Sequence, residues 1–201
     1  MFEALGGLGL SSAAGLNAYI PALIVALLAR YTDVVTLPNE LGFLANGWVL
    51  AVLIALLVVE EVVDKIPGAD HVNDVVQTIV RPTSGAVVFA ANANESLGGN
   101  FWVSCAIGLV MALVVHGTKA AGRGVVNVST AGIGAPIVSV IEDLVSVALS
   151  VIAIVLPILI AVFLIWLVGV IWWIVRRRRR KAAARSTPPS QTLYRDPNAS
   201  A

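Results

Sequence analysis

The stretch 144–175, LVSVALSVIAIVLPILIAVFLIWLVGVIWWIV, carries no charged residue over 32 positions and runs straight into RRRRRK at 176–181. A helix of that length reaches about 48 Å, against a bilayer hydrocarbon core of about 30 Å. The run can therefore cross a membrane with length to spare, whereas the basic block must stay in water. By the positive-inside rule that block marks the cytoplasmic face. Trp172 and Trp173 fall where indoles favour the headgroup boundary. The chain is expected to be an integral membrane protein with a cytoplasmic C-terminus.

Composition agrees. The 201 residues are 58% hydrophobic and 12% charged, against about 25% charged in a soluble domain. The net charge of +1 hides an asymmetry: residues 176–201 hold eight of the 13 Lys/Arg and one of the 12 acids. A basic tail beside a membrane serves orientation and attraction to anionic lipid headgroups, not nucleic-acid binding. Two regions follow, a transmembrane helical domain at 1–175 and a basic, disordered cytoplasmic tail at 176–201. Cys105 is the single cysteine, so no disulfide framework exists within the chain. Met1-Phe2-Glu3 lacks the positive region of a signal peptide, and the N-terminus is expected to be retained.

The remaining apolar segments are shorter. Residues 13–29 are interrupted by Asn17 and Pro21 behind a Gly-rich lead-in, which predicts a kinked or re-entrant helix. Residues 31–47 read as a loop, with turn signals at Pro38-Asn39 and Asn46-Gly47. A clear helix covers 48–59 and ends in the charged run from Glu60 to Lys65. Positions 71–80 predict an amphipathic helix stopped at Arg81-Pro82, because a residue before proline avoids the α region. Another span covers 101–115. From Pro136 to Val175 one straight helix would be too long for a single crossing, and Pro157 is where it should bend. The fold class is all-α: a polytopic helical membrane bundle of five or six hydrophobic segments, some broken or re-entrant.

Polar residues within such a bundle are the candidates for chemistry. Glu60 and Asp64 share a helical face, a repulsive pair unless a cation or proton relieves it, while Glu61 and Lys65 have the favourable order. Asp70 and Asp74 form a second acidic pair. The bland reading is a hydrated helix end; a divalent metal on Asp70, His71 and Asp74 would match no ligand motif. His116, Lys119 and Arg123 make one basic stripe, either snorkelling at a span's end or facing Glu60, Asp64, Glu142 or Asp143 inside the bundle. Ser139, Glu142 and Ser146 draw a polar stripe along an apolar helix. Ser139-x-x-Glu142 also matches a capping box, which would make both residues a helix start and nothing more. Glu142 and Asp143 are adjacent acids in an apolar setting, where desolvation and mutual repulsion both oppose two negative charges. No nucleophile–base pair, phosphate loop or zinc spacing is present, so no catalysis, cofactor or metal is expected.

Several of these stretches together resemble an uncharacterised bacterial membrane family, the domain of unknown function 4126. They are Gly15-Leu16-Asn17-Ala18-Tyr19-Ile20-Pro21, then Glu60, Asp64-Lys65-Ile66-Pro67 and Asp70, then Arg81-Pro82 with Gly85. His116, Lys119-Ala120, Arg123, Pro136, Ser139 and Glu142-Asp143 complete the pattern over roughly residues 5–165. The resemblance implies a multi-pass inner-membrane protein and supplies no activity. The expected function is a small transporter or channel-like protein for an ion, a small polar solute or a lipid headgroup, with the intramembrane carboxylates as a proton- or cation-linked site. Its pathway residues would be Asn17, Glu60, Asp64, Lys65, Asp70, Arg81, His116, Lys119, Arg123, Ser139, Glu142 and Asp143. The alternative is a membrane scaffold or assembly factor whose charge pairs are purely structural. The expected partners are the bilayer, anionic headgroups at the tail and further copies of the same chain.

Overall fold

A computed structural model describes residues 2–63, 69–130 and 134–186. Among them the protein is all-helical, 89% helix with no strand. Seven α-helices follow in order: α1 (Phe2–Leu16), α2 (Tyr19–Tyr31), α3 (Gly47–Val63), α4 (Ala69–Ala93), α5 (Phe101–Thr130), α6 (Ala135–Val155) and α7 (Ile158–Ser186). A 3₁₀ turn at Asn39–Ala45 precedes α3, and a shorter one at Glu95–Leu97 links α4 to α5. The chain forms two compact units, Met1–Phe163 and Leu164–Ala201.

Three helical stretches are long and apolar enough to cross a membrane: Phe101–Gly124, Pro136–Val155 and Ile158–Arg177. The 3₁₀ turn and α3, bent by 70°, make a fourth if counted as one broken span. Large apolar side chains such as Val110, Ile141, Leu144, Val162 and Ile165 point outward, as expected where the solvent is lipid. The long apolar run breaks at Leu156-Pro157, where the missing proline N–H ends α6 and α7 starts afresh. Helix α7 then continues through the basic block to Ser186. The rest of the expected tail, 187–201, lies outside the described residues.

One sequence expectation is overturned. Helix α4 does not stop at Arg81-Pro82; it runs through the proline to Ala93. Arg81 is fully buried and bonded to Glu60 and His116, and neighbouring helices hold both sides of the proline in register. Tertiary contact of this kind outweighs the local bias against a helical residue before proline.

Helix α1 is the centre of the first unit. Nine of its 15 residues are buried, all of them Gly, Ala, Ser or Leu. Small side chains let backbones approach closely, the usual packing device where lipid supplies no hydrophobic drive between helices. A Cβ on Gly9 would lie 2.6 Å from Ala153 Cβ and 2.7 Å from Ile160 Cδ1. On Gly15 it would lie 2.7 Å from the Ala112 carbonyl and 2.7 Å from Val115 Cβ. Gly85 of α4 and Gly108 of α5 are in mutual contact in the same way. These contacts set α4 and α6 antiparallel to α1, because Gly6 meets Asn92 and Ala153 while Asn17 meets Asp143.

Helices α1 and α2 form a hairpin. Glu3, at the start of α1, lines the same cavity as residues 34–38, which follow α2. Arg30, near the end of α2, donates to the Ala45 carbonyl at 2.7 Å, so α3 begins at that end too. At 15 and 13 residues, neither leg is long enough to cross a bilayer alone. The first apolar segment is therefore broken at Asn17-Ala18, as Asn17 and Pro21 lead one to expect.

A candidate functional site at the hairpin tip

The tip is built by local chemistry. Pro21 has no N–H to return to the Asn17 carbonyl, and it sits in the first turn of α2, where that donor would be unsatisfied anyway. The Asn17 Oδ1 accepts from the backbone N–H groups of Tyr19 at 3.0 Å and Ile20 at 3.1 Å, starting the new helix. Its own N–H still closes the last turn of α1, on the Ala13 carbonyl at 3.0 Å.

Side chains of three other helices bond carbonyls around the break. Lys119 Nζ of α5 donates to Leu16 O at 2.7 Å, Ser146 Oγ of α6 to Ala13 O at 3.1 Å, and Ser84 Oγ of α4 to Ala18 O at 2.5 Å. A cation at the C-terminal end of α1 also matches the sign of the helix dipole. Asn17 Nδ2, one residue further, donates to Asp143 Oδ1 at 2.9 Å. The broken backbone is thus fully enclosed by protein, the condition under which non-helical chain is tolerated at membrane depth.

Three charged groupings surround this tip. In the first, Arg81 Nη2 donates to Glu60 Oε1 at 3.1 Å, with both side chains almost fully buried. Arg81 Nη1 lies 3.3 Å from His116 Nδ1, and Thr78 Oγ1 lies 3.3 Å from His116 Nε2. In the second, Glu142 Oε2 accepts from Lys119 Nζ at 2.9 Å and from Arg123 at 2.8 Å and 3.1 Å through Nη2 and Nε. In the third, half-buried Asp143 accepts from Asn17 and lies beside the carboxyl of Glu61 on α3. Two adjacent acids therefore have opposite surroundings: Glu142 faces cations, and Asp143 faces a carboxamide and a second acid.

Of the residues singled out in the sequence, the structure brings Asn17, Glu60, Arg81, His116, Lys119, Arg123, Glu142 and Asp143 to this one level of the bundle. The basic stripe turns inward and meets Glu142. Ser139 is buried in α6, which already starts at Ala135 with Pro136 in its first turn. Ser139 is therefore not a helix cap, and the capping-box reading of Ser139 and Glu142 does not hold. Asp64 and Lys65 lie outside the described residues, as do the side chains of Asp70, His71 and Asp74.

The sequence reading missed Gln77 and Ser84 on α4. Gln77 is almost fully buried and lies beside Tyr19, next to the tip. Gln77, Arg81 and Ser84 recur at i, i+4 and i+7, a polar stripe that was legible once the helix was allowed to pass Pro82. Glu61 was not among the expected site residues, yet its carboxyl lies beside Asp143, while Lys65, its expected partner, lies outside the described residues.

No curated protein and no solved structure matches this chain. The model of one protein family covers residues 4–177, most of its length and all but the first two residues of the hairpin, with its charged surround. The chain belongs to that family, described as a domain of unknown function, DUF4126.

Proposed function

We propose that this is a multi-pass protein of the bacterial cytoplasmic membrane, a small transporter or channel-like protein rather than an enzyme. Its substrate would be an ion, a small polar solute or a lipid headgroup. The observation that carries this reading is the hairpin whose tip ends among charged side chains of α3, α4, α5 and α6. Discontinuous helices that meet ionisable groups inside a bundle are how many transporters build a site, the broken backbone supplying dipoles and carbonyls. With α1 and α2 re-entrant, α5, α6 and α7 are long and apolar enough to cross, and α3 joins them if its bent pair is one span. The positive-inside rule then places the Arg176–Arg177 end in the cytoplasm. There Arg176 and Arg177 stack over Trp172 and Trp173 at 4.8 Å and 5.0 Å, a seat for anionic headgroups.

Coupling is assigned to Asp143. Glu142 is already held by two cations, Lys119 and Arg123. Asp143 instead lies beside the carboxyl of Glu61, and two neighbouring carboxylates repel unless a proton or cation comes between them. A second reading, a scaffold, draws on the Glu142–Lys119–Arg123 and Glu60–Arg81 pairs, which tie helices together whether or not anything moves. In either case self-association within the membrane is compatible with the exposed apolar faces.

Flux in proteoliposomes under an imposed pH or sodium gradient separates the two. Transport predicts gradient-dependent uptake of a solute from a broad panel, abolished in Asp143→Asn. A correctly inserted protein that carries nothing across the whole panel, or an Asp143→Asn variant that carries substrate like wild type, would move the assignment to a scaffold.

A further inference from the structure

Two deeply buried polar atoms of α4 meet nothing that bonds them. Arg81 and Gln77 are each 1% exposed, and neither Arg81 Nε nor Gln77 Oε1 reaches a hydrogen-bonding atom of the described residues. The other guanidinium nitrogens are engaged: Nη2 donates to Glu60 Oε1 at 3.1 Å, and Nη1 lies 3.3 Å from His116 Nδ1. Ser84, next along the same polar stripe, is spent on the Ala18 carbonyl. A buried polar group is nearly always bonded, because an orphan keeps its desolvation penalty. A donor and an acceptor left over side by side therefore call for an occupant.

The chemistry of the two atoms selects it. Gln77 and Arg81 stand four positions apart on one helix face, where Cβ atoms are about 5–6 Å from one another, so a single small molecule can touch both side chains. Arg81 Nε–H only donates and Gln77 Oε1 only accepts, so the occupant must accept from the first and donate to the second. A metal cation accepts no hydrogen bond and is repelled by the guanidinium. A simple anion donates none and would sit near the Glu60 carboxylate. A neutral hydroxyl does both. We infer that Arg81 and Gln77 bind a neutral hydroxylic molecule, either water or the hydroxyl group of a small alcohol, beside the hairpin tip. A buried water bonded to otherwise orphaned groups is an ordinary structural part of a protein interior. The site does not use Asp143 and does not require transport. A failed flux assay would leave it standing, and its own failure would leave that assay to decide the function.

The test reads Arg81 Nε–H directly, by nitrogen-edited ROESY of the full-length protein in detergent micelles, where cross-relaxation and proton exchange differ in sign. The signal is assigned by through-bond correlation to the Arg81 side chain. A cross-relaxation peak at the water resonance is expected, of the kind left by a long-lived bound molecule, whereas exposed Arg30 should show exchange with bulk water. Added glycerol separates the two sources: a peak that stays at water identifies water, and one that moves to the glycerol CH resonances identifies a solute hydroxyl. Gln77→Met keeps the length and the charges, removes the acceptor, and should abolish the peak. The wild-type spectrum decides the matter even if that variant does not fold. No cross-relaxation from either molecule, as when Arg81 closes both Nε–H and Nη2 on Glu60, would overturn the assignment, and so would an unchanged peak in folded Gln77→Met.

Discussion

Replacing Glu142 by Ala removes a carboxylate that two buried cations share. Lys119 is 3% exposed, Arg123 9% and Glu142 12%, and all three contacts lie between 2.8 and 3.1 Å. Breaking one side of a buried pair typically costs about 3–5 kcal/mol, because the stranded charge keeps its desolvation penalty. Lys119 keeps the Leu16 carbonyl at 2.7 Å, which limits the loss, so the lower end of that range, about 3 kcal/mol, is expected. Unfolding in mild detergent, followed by far-UV circular dichroism, would read this as a fall in melting temperature of about 6–12 °C. Glu40→Ala, an exposed acid, serves as the control. In the double variant Lys119→Met/Glu142→Ala the losses should be less than additive, since each substitution removes the other's penalty. A Glu142→Ala protein within about 0.5 kcal/mol of wild type, or strict additivity in the cycle, would refute the picture of a buried, mutually dependent cluster.

Asn17→Ala deletes both cap bonds of α2 and the bond to Asp143. A destabilisation of about 1–2 kcal/mol is expected in the same unfolding assay, and an unchanged midpoint would show that the tip is not capped this way. Gly15→Ala places a Cβ 2.7 Å from the Ala112 carbonyl, a backbone atom that cannot swing aside. It should cost about 1–3 kcal/mol, whereas Gly124→Ala, with open space around it, should change little. Equal midpoints for the two glycine variants would contradict the close approach of α1 and α5.

The breaks in this fold were legible where the cause is local. Pro157 ends a helix because its ring removes a donor, and Asn17 with Pro21 interrupts the first segment for the same reason. Pro82 carries the same local signal and was misread. Its helix is held on both sides by close glycine contacts at Gly85 and by the buried Arg81 network, neither of which a single helix can announce. The adjacent acids show the same limit. Glu142 and Asp143 look equivalent in an apolar run, yet neighbouring positions on a helix point about 100° apart and so meet different partners. Only the neighbours decide that one faces Lys119 and Arg123 while the other faces Asn17 and Glu61.

By itself, then, the amino-acid sequence determined the apolar character of the helices, the helical class, the break at Asn17-Ala18 and the break at Pro157. Hydrophobic length, basic flanks and proline act within a few residues of one another, and a linear reading contains them all. The tertiary structure alone decided that α1 and α2 return to the same end, that Gln77 and Ser84 join the tip, and which acid is neutralised and which is not. Those outcomes depend on contacts between helices, some of them between residues more than a hundred positions apart, such as Lys119 to Leu16 and Asn17 to Asp143. Burial magnifies them, because in a low-dielectric interior each polar group is governed by the partner that reaches it, not by its place in the chain.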